Sequence, residues 1–283
     1  MLTNISSELI SHIRNNRRGE IEAYQSLDDH SLGVAKYAYI FANEFGMGNW
    51  GHIIGVLHDK GKEKKEFQNY ILDINGVPSH KNWTQHGKQH AYVGGIIARK
   101  MYGRSANNFI VNQIVSHHTG LHDYDEIENI INQNIPSEVN TNIEKEKLDV
   151  PKFKMQDTDF HHLARMLFSC LVDADFLDTE DFMDKESSAL RKNKATLKDL
   201  LPLLENKLKE LKAKADHSDV NVIRNKVLQQ CIKMADTAIG FYSLTVPTGG
   251  GKTFSSLAWA MKHAIRNGQK RIIIAIPYTS IIV

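Results

Sequence analysis

At 283 residues the chain is long enough to bury a substantial core, as one large domain or a domain plus part of another. With 41% hydrophobic and 24% charged residues, and apolar runs as short as "IIIAI", its composition is that of a soluble globular protein and excludes a membrane span. Thirty-five Lys and Arg against 33 Asp and Glu leave a net charge of only +2, so there is no global basic field, and binding to nucleic acid needs a local patch.

The first residues, "MLTNISSELISHIRNNRR", carry basic residues after their apolar positions, the reverse of a secretory signal, and a cytoplasmic protein is expected. Residues 31–45 place Val34, Ala38, Phe41 and Phe45 at helical spacing before Gly46. Helices are also predicted over 50–59, ended by Gly61, over 63–72, over 89–103 and over 107–120. Residues 121–157 contain Pro136 and Pro151 and predict a long irregular excursion with a short helix near Ile127–Ile131. One strongly periodic helix follows over 158–178, and the Leu-rich, charged stretch 185–215 predicts a helix or helix pair. Character then changes. "FYSLTV", "PTGGGKT", "FSSLAWAMKHAIR" and "RIIIAIP" read as strand, glycine loop, amphipathic helix and buried strand, a βαβ unit.

The loop suits phosphate binding. Backbone N–H groups around Gly249, Gly250 and Gly251 would cradle the phosphates, Lys252 would reach the outer ones, and Thr253 would hold Mg²⁺. The first glycine of the common pattern is replaced by Val246. Thr248 to Thr253 instead resemble the ATP-binding loop of superfamily 2 helicases, and "IPYTSII" resembles their strand-contacting segment. No metal-holding or water-activating motor motif follows in the chain, so an incomplete motor domain without ATP turnover is expected.

Cys170 and Cys231 have no CxxC spacing, so a metal would be held by nitrogen and oxygen. The fourteen histidines direct attention to where they fall. His30, His58, Asp59, His90, His117 and His118 sit on or at the ends of predicted helices, where they can converge in a bundle. His117 and His118 continue the face of Ile110, Val111 and Ile114. In "VDADFLD", Asp175 lies four residues after Leu171 and extends the apolar face, whereas Asp173 points the other way. His90 is preferred to His86, which precedes the helix in a polar loop. Lys60, Lys64 and Lys65 read as a solvated or backbone-contacting face.

The series His30, His58-Asp59 and Asp175 resembles the H…HD…D signature of the HD phosphohydrolase superfamily, a mainly α, metal-dependent fold. The longer pattern, "HDKGK", "FQNY", "KQHAYVGG", the His117-His118 pair, "LVDADFLDTE", "LTVPTGGGKT" and "IPYTSII", is similar to the CRISPR-associated nuclease-helicase of type I interference systems. The resemblance implies an HD nuclease domain over 1–215 and the start of a RecA-like α/β helicase domain over 216–283. It further implies two divalent ions, one on His30, His58, Asp59 and Asp175, the other on His90, His117 and His118, with Asp59 bridging. Lys62 would stabilise the scissile phosphate. Single-stranded DNA and a crRNA-guided surveillance complex are the implied partners, with ATP and Mg²⁺ at the glycine loop in the full-length helicase. Mixed imidazole and carboxylate ligands favour Mn, Fe, Co, Ni or Zn over Mg. An HD-type nucleotide phosphohydrolase and a non-catalytic, metal-stapled adaptor are the competing readings.

Overall fold

In the computed structural model, residues 8–78, 83–84, 87–150, 156, 159–192 and 195–275 are described. The first element among them is a hairpin, β1 (Ile10–Asn15) antiparallel to β2 (Ile21–Ser26). The sequence predicts no element there, and a register irregularity between Ile10 and His12 explains why. It puts Ile10, Ser11 and Ile13 inward instead of every second residue, which erases the period of two. Asn16 and Gly19, at φ 80°, close the turn.

The helices follow in the predicted order with shifted ends. These are α1 (Leu27–Asn43), α2 (Gly48–Leu57), a 3₁₀ turn (Lys60–Glu63), α3 (Lys65–Ile74) and α4 (Ala91–Tyr102). A π-helical turn (Asn107–Val111) leads into α5 (Asn112–Ser116), then come α6 (Tyr124–Ile131), α7 (Phe160–Met183) and α8 (Lys185–Lys192). α1 begins earlier than its apolar spacing suggests because the Ser26 hydroxyl accepts from Asp29 N at 3.0 Å and caps it.

α1, α2, α4, α5 and α7 share one core around Val34, Ile54, Leu57, Ile97, Ile114 and Leu171. Each fully buried aliphatic side chain there contributes about 1.5–3 kcal/mol. Two glycines set how close the helices come. A Cβ on Gly55 would lie 2.5 Å from Ala35 Cα, and one on Gly94 would lie 1.9 Å from Leu57 O. The excursion after α6 is fastened to the bundle. Asp149 accepts from Asn49 N and Trp50 Nε1, both at 2.8 Å, and Glu146 pairs with His52 at 2.6 Å.

The chain divides into two compact units, Met1–Ala189 and Leu190–Val283. The second contains α9 (Leu197–Lys214), α10 (Asp219–Met234) and α11 (Lys252–Arg266), and both α9 and α10 pack on α11. The two strands predicted on either side of α11 are corrected. Residues 241–246 and 271–275 form no strand, and residues 276–277 lie outside the described residues. Phe241 and Ile273 are exposed, so neither segment gains the buried, paired setting that makes a β-rich run into a strand. The glycine loop itself is present: Gly249 and Gly251 take φ 81° and 84°, and α11 starts at Lys252. Arg224 Nε donates to Gly249 O at 2.7 Å, while Lys252 and Thr253 are exposed. Among the described residues no helix is long and apolar enough to cross a membrane.

Candidate metal centre

The cap at Ser26 fixes the first turn of α1 and sends His30 into the interior, with no exposure. α2 ends at Leu57, and His58 keeps helical geometry. Asp59 then leaves it, at φ −106° and ψ 12°, which turns its carboxylate back over the bundle. Gly61 permits the next approach, since a Cβ there would lie 2.1 Å from His90 O. His90 stands immediately before α4, His117 and His118 immediately after α5, and Asp175 on α7.

The imidazoles are held by their Nδ1 atoms. His30 Nδ1 donates to Asp178 at 2.7 Å, His58 Nδ1 to Gly55 O at 2.7 Å, and His117 Nδ1 to Ile114 O at 2.6 Å. His90 Nδ1 donates to Lys88 O at 3.1 Å. Because these partners only accept, each Nδ1 carries a hydrogen, and each Nε2 presents a lone pair once its imidazole is neutral. The Nε2 atoms of His30, His58 and His117 and Oδ1 of Asp59 are buried without a hydrogen-bond partner. All four converge. Asp59 Oδ2 lies 3.3 Å from Nε2 of both His30 and His58, and its Oδ1 lies 3.2 Å from His90 Nε2 and 3.6 Å from His117 Nε2. Asp175 Oδ1 is 3.3 Å from His30 Nε2 and 3.9 Å from His58 Nε2, and His90 and His118 bring their Nε2 atoms to 2.9 Å.

The His–Asp contacts are within ion-pair range, and the His90–His118 contact is a hydrogen bond. Those at 3.2 and 3.3 Å match the edge of a coordination polyhedron, about 3.0–3.4 Å for metal–nitrogen bonds of about 2.1 Å. Three overlapping donor groups result: Asp59, His90, His117 and His118; His30, His58 and Asp59; His58, His117 and Asp175. A buried polar atom without a partner costs free energy that a coordinated cation recovers, so the donor set fits a divalent metal. His118 is exposed and Asp175 partly so, which puts solvent access on their side.

Charges in the cluster are strongly perturbed. Burial opposes a proton on His30, but the carboxylates of Asp175, Asp178 and Asp59 outweigh it and raise its pKa to about 10. A metal at Nε2 would take the place of that proton. Burial also opposes ionisation of Asp59, yet His58 and Lys62, with His117 and His30, hold its carboxyl well below the usual range. Desolvation is the largest influence on His118, lowered to about 4, and on His90, also lowered, so both are neutral donors at pH 7.

All seven expected donors, His30, His58, Asp59, His90, His117, His118 and Asp175, thus lie in one cluster, Asp173 is exposed, and His86 lies outside the described residues. Lys62 is buried with Nζ 2.7 Å from Asp59 Oδ2 and 3.1 Å from Ser11 Oγ. Its charge is directed at Asp59. The solvated reading of Lys64 is corrected: it is buried, donates to Gln89 O and sits 5.0 Å from the centre of the Tyr92 ring. Asp178 went unread in the sequence, although it stands three residues after Asp175 on the same helix face. It accepts from His30, and from Gln25 Nε2 at 2.8 Å.

No curated protein matches the chain. Residues 27–153 match the HD domain family, a span that contains His30, His58, Asp59, His90, His117 and His118 and stops short of Asp175 and Asp178. An HD domain is thus found at residues 27–153, and the His/Asp cluster fits the divalent metals that such domains bind.

Proposed function

We propose that the chain is a metal-dependent phosphodiesterase that cleaves single-stranded DNA. The observation that carries the hydrolase chemistry is the gathering of three buried, unpartnered Nε2 atoms around the Asp59 carboxylate, in a cluster exposed at His118 and partly exposed at Asp175. His30, His58, Asp59 and Asp175 would hold one ion and His90, His117 and His118 a second, with the Asp59 carboxylate between them. Divalent ions so held act as Lewis acids toward phosphoryl oxygens and lower the pKa of water, which removes the need for a separate general base. Asp178 orients His30, and Lys62 offsets the charge of Asp59.

The choice of DNA, of a crRNA-guided surveillance complex as partner, and of ATP at Thr248–Thr253 rests on the resemblance of "HDKGK", "KQHAYVGG", "LVDADFLDTE" and "PTGGGKT" to the nuclease-helicases. The test compares circular single-stranded DNA with dNTPs as substrates of the purified chain in Mn²⁺ without ATP. Cleavage of the circle, abolished by Asp59→Ala, is expected. Hydrolysis of dNTPs alone would make it a nucleotide phosphohydrolase, and bound metal with neither activity would make it an adaptor.

A further inference from the structure

Two residues on from His90, Tyr92 helps line a cavity of about 540 Å³, together with Lys64, Glu66, Gln133, Asn134 and Glu138 among others. Its volume falls within the roughly 300–1,000 Å³ range of small-molecule sites. One wall supports a proposed ligand. Lys64 Nζ donates to the carbonyl of Gln89, the residue before His90, and Phe67, three residues on, sets its ring edge-on to His90 with centroids 5.0 Å apart. The opposite wall is tied down, because Glu138 accepts from Lys65 N at 3.4 Å and Glu63 from Asn140 N at 2.6 Å.

We propose that this cavity seats one nucleobase of the DNA strand whose phosphate is cleaved at the metal centre; the inference rests on the phosphodiesterase reading above. The lining chemistry selects a base over a phosphate. Lys64 donates to Gln89 O and faces the Tyr92 ring, and the two carboxylates of Glu66 and Glu138 outnumber its single charge, which disfavours an anion. Carboxylates accept from the exocyclic amino groups of cytosine and adenine, and amides such as those of Gln133 and Asn134 pair with base edges. Thymine has no amino group to offer. The strand should therefore be held more tightly where an amino-bearing base precedes or follows the cut.

The test uses the full chain and the double variant Gln133→Ala, Asn134→Ala. Fluorescence anisotropy with labelled oligo-dC, oligo-dA and oligo-dT in EDTA reads binding without metal chemistry. Hydrolysis of single-stranded DNA and of bis-p-nitrophenyl phosphate, a phosphodiester with no base, is followed in Mn²⁺. Expected are about tenfold tighter binding of oligo-dC and oligo-dA than of oligo-dT, weaker binding of all three oligonucleotides by the variant, and a KM for DNA raised about tenfold with hydrolysis of the small diester unchanged. A wild-type chain without base preference, or a variant that keeps the wild-type affinity and KM, would overturn the proposal. So would dCMP that binds as tightly as the oligonucleotide, which would assign the cavity to a free nucleotide. If the small diester and DNA are both left intact, the phosphodiesterase reading fails, and the anisotropy series still decides the cavity.

Discussion

His30 is the most constrained side chain of the centre. Its Nδ1 is fixed by Asp178, its Nε2 faces Asp59 and Asp175, and a Cβ on Gly33, one turn along α1, would lie 1.8 Å from Asp178 Oδ1. Asp178→Asn should weaken metal binding about 10- to 100-fold, since a hydrogen-bonded carboxylate both orients an imidazole and makes it more basic. Competition with a chelating dye measures this, and unchanged affinity would remove Asp178 from the site. The metal-free chain should also show a pH signature. The folded pKa of His30, raised from 6.5 to about 10, means that its ion pairs stabilise the fold fully below pH 6.5 and that this stability is lost as pH rises toward 10. Urea midpoints in EDTA should fall across that window and flatten in His30→Gln; a midpoint independent of pH would contradict the pairing. Asp175 was legible in the sequence from its place four residues after buried Leu171. Asp178 was not, because its role is toward an imidazole and not toward the metal, and no ligand pattern marks such a residue.

At the scale of elements, helices were legible and strands were not, for two different physical reasons. The hairpin hides behind an irregular register, and yet it supplies Ser11 to Lys62 and Gln25 to Asp178. The runs at 241–246 and 271–275 have strand composition, but composition becomes a strand only where a neighbour accepts its hydrogen bonds. Helix contacts depend on glycines that periodicity does not weigh. Gly94→Ala drives a methyl group into the end of α2, just before His58, and should lower stability by about 1–3 kcal/mol. Its urea denaturation should show a reduced midpoint together with weaker metal binding. Wild-type behaviour would mean that α2 and α4 can separate freely.

For the whole molecule, the HD domain and its cluster lie inside the first compact unit, while the glycine loop belongs to the second. A ligand stabilises the unit that binds it. Mn²⁺ should therefore raise the first-unit unfolding transition in calorimetry and leave the second-unit transition in place; a shift of the second alone would put the metal elsewhere. If the His/Asp cluster holds divalent metal, equilibrium dialysis against Mn²⁺ detects it on the folded chain. One to two equivalents per chain, at about micromolar free metal, with loss of binding in Asp59→Ala, is the result predicted. Less than about one tenth of an equivalent on the folded wild-type chain, or unchanged binding in Asp59→Ala, would contradict it.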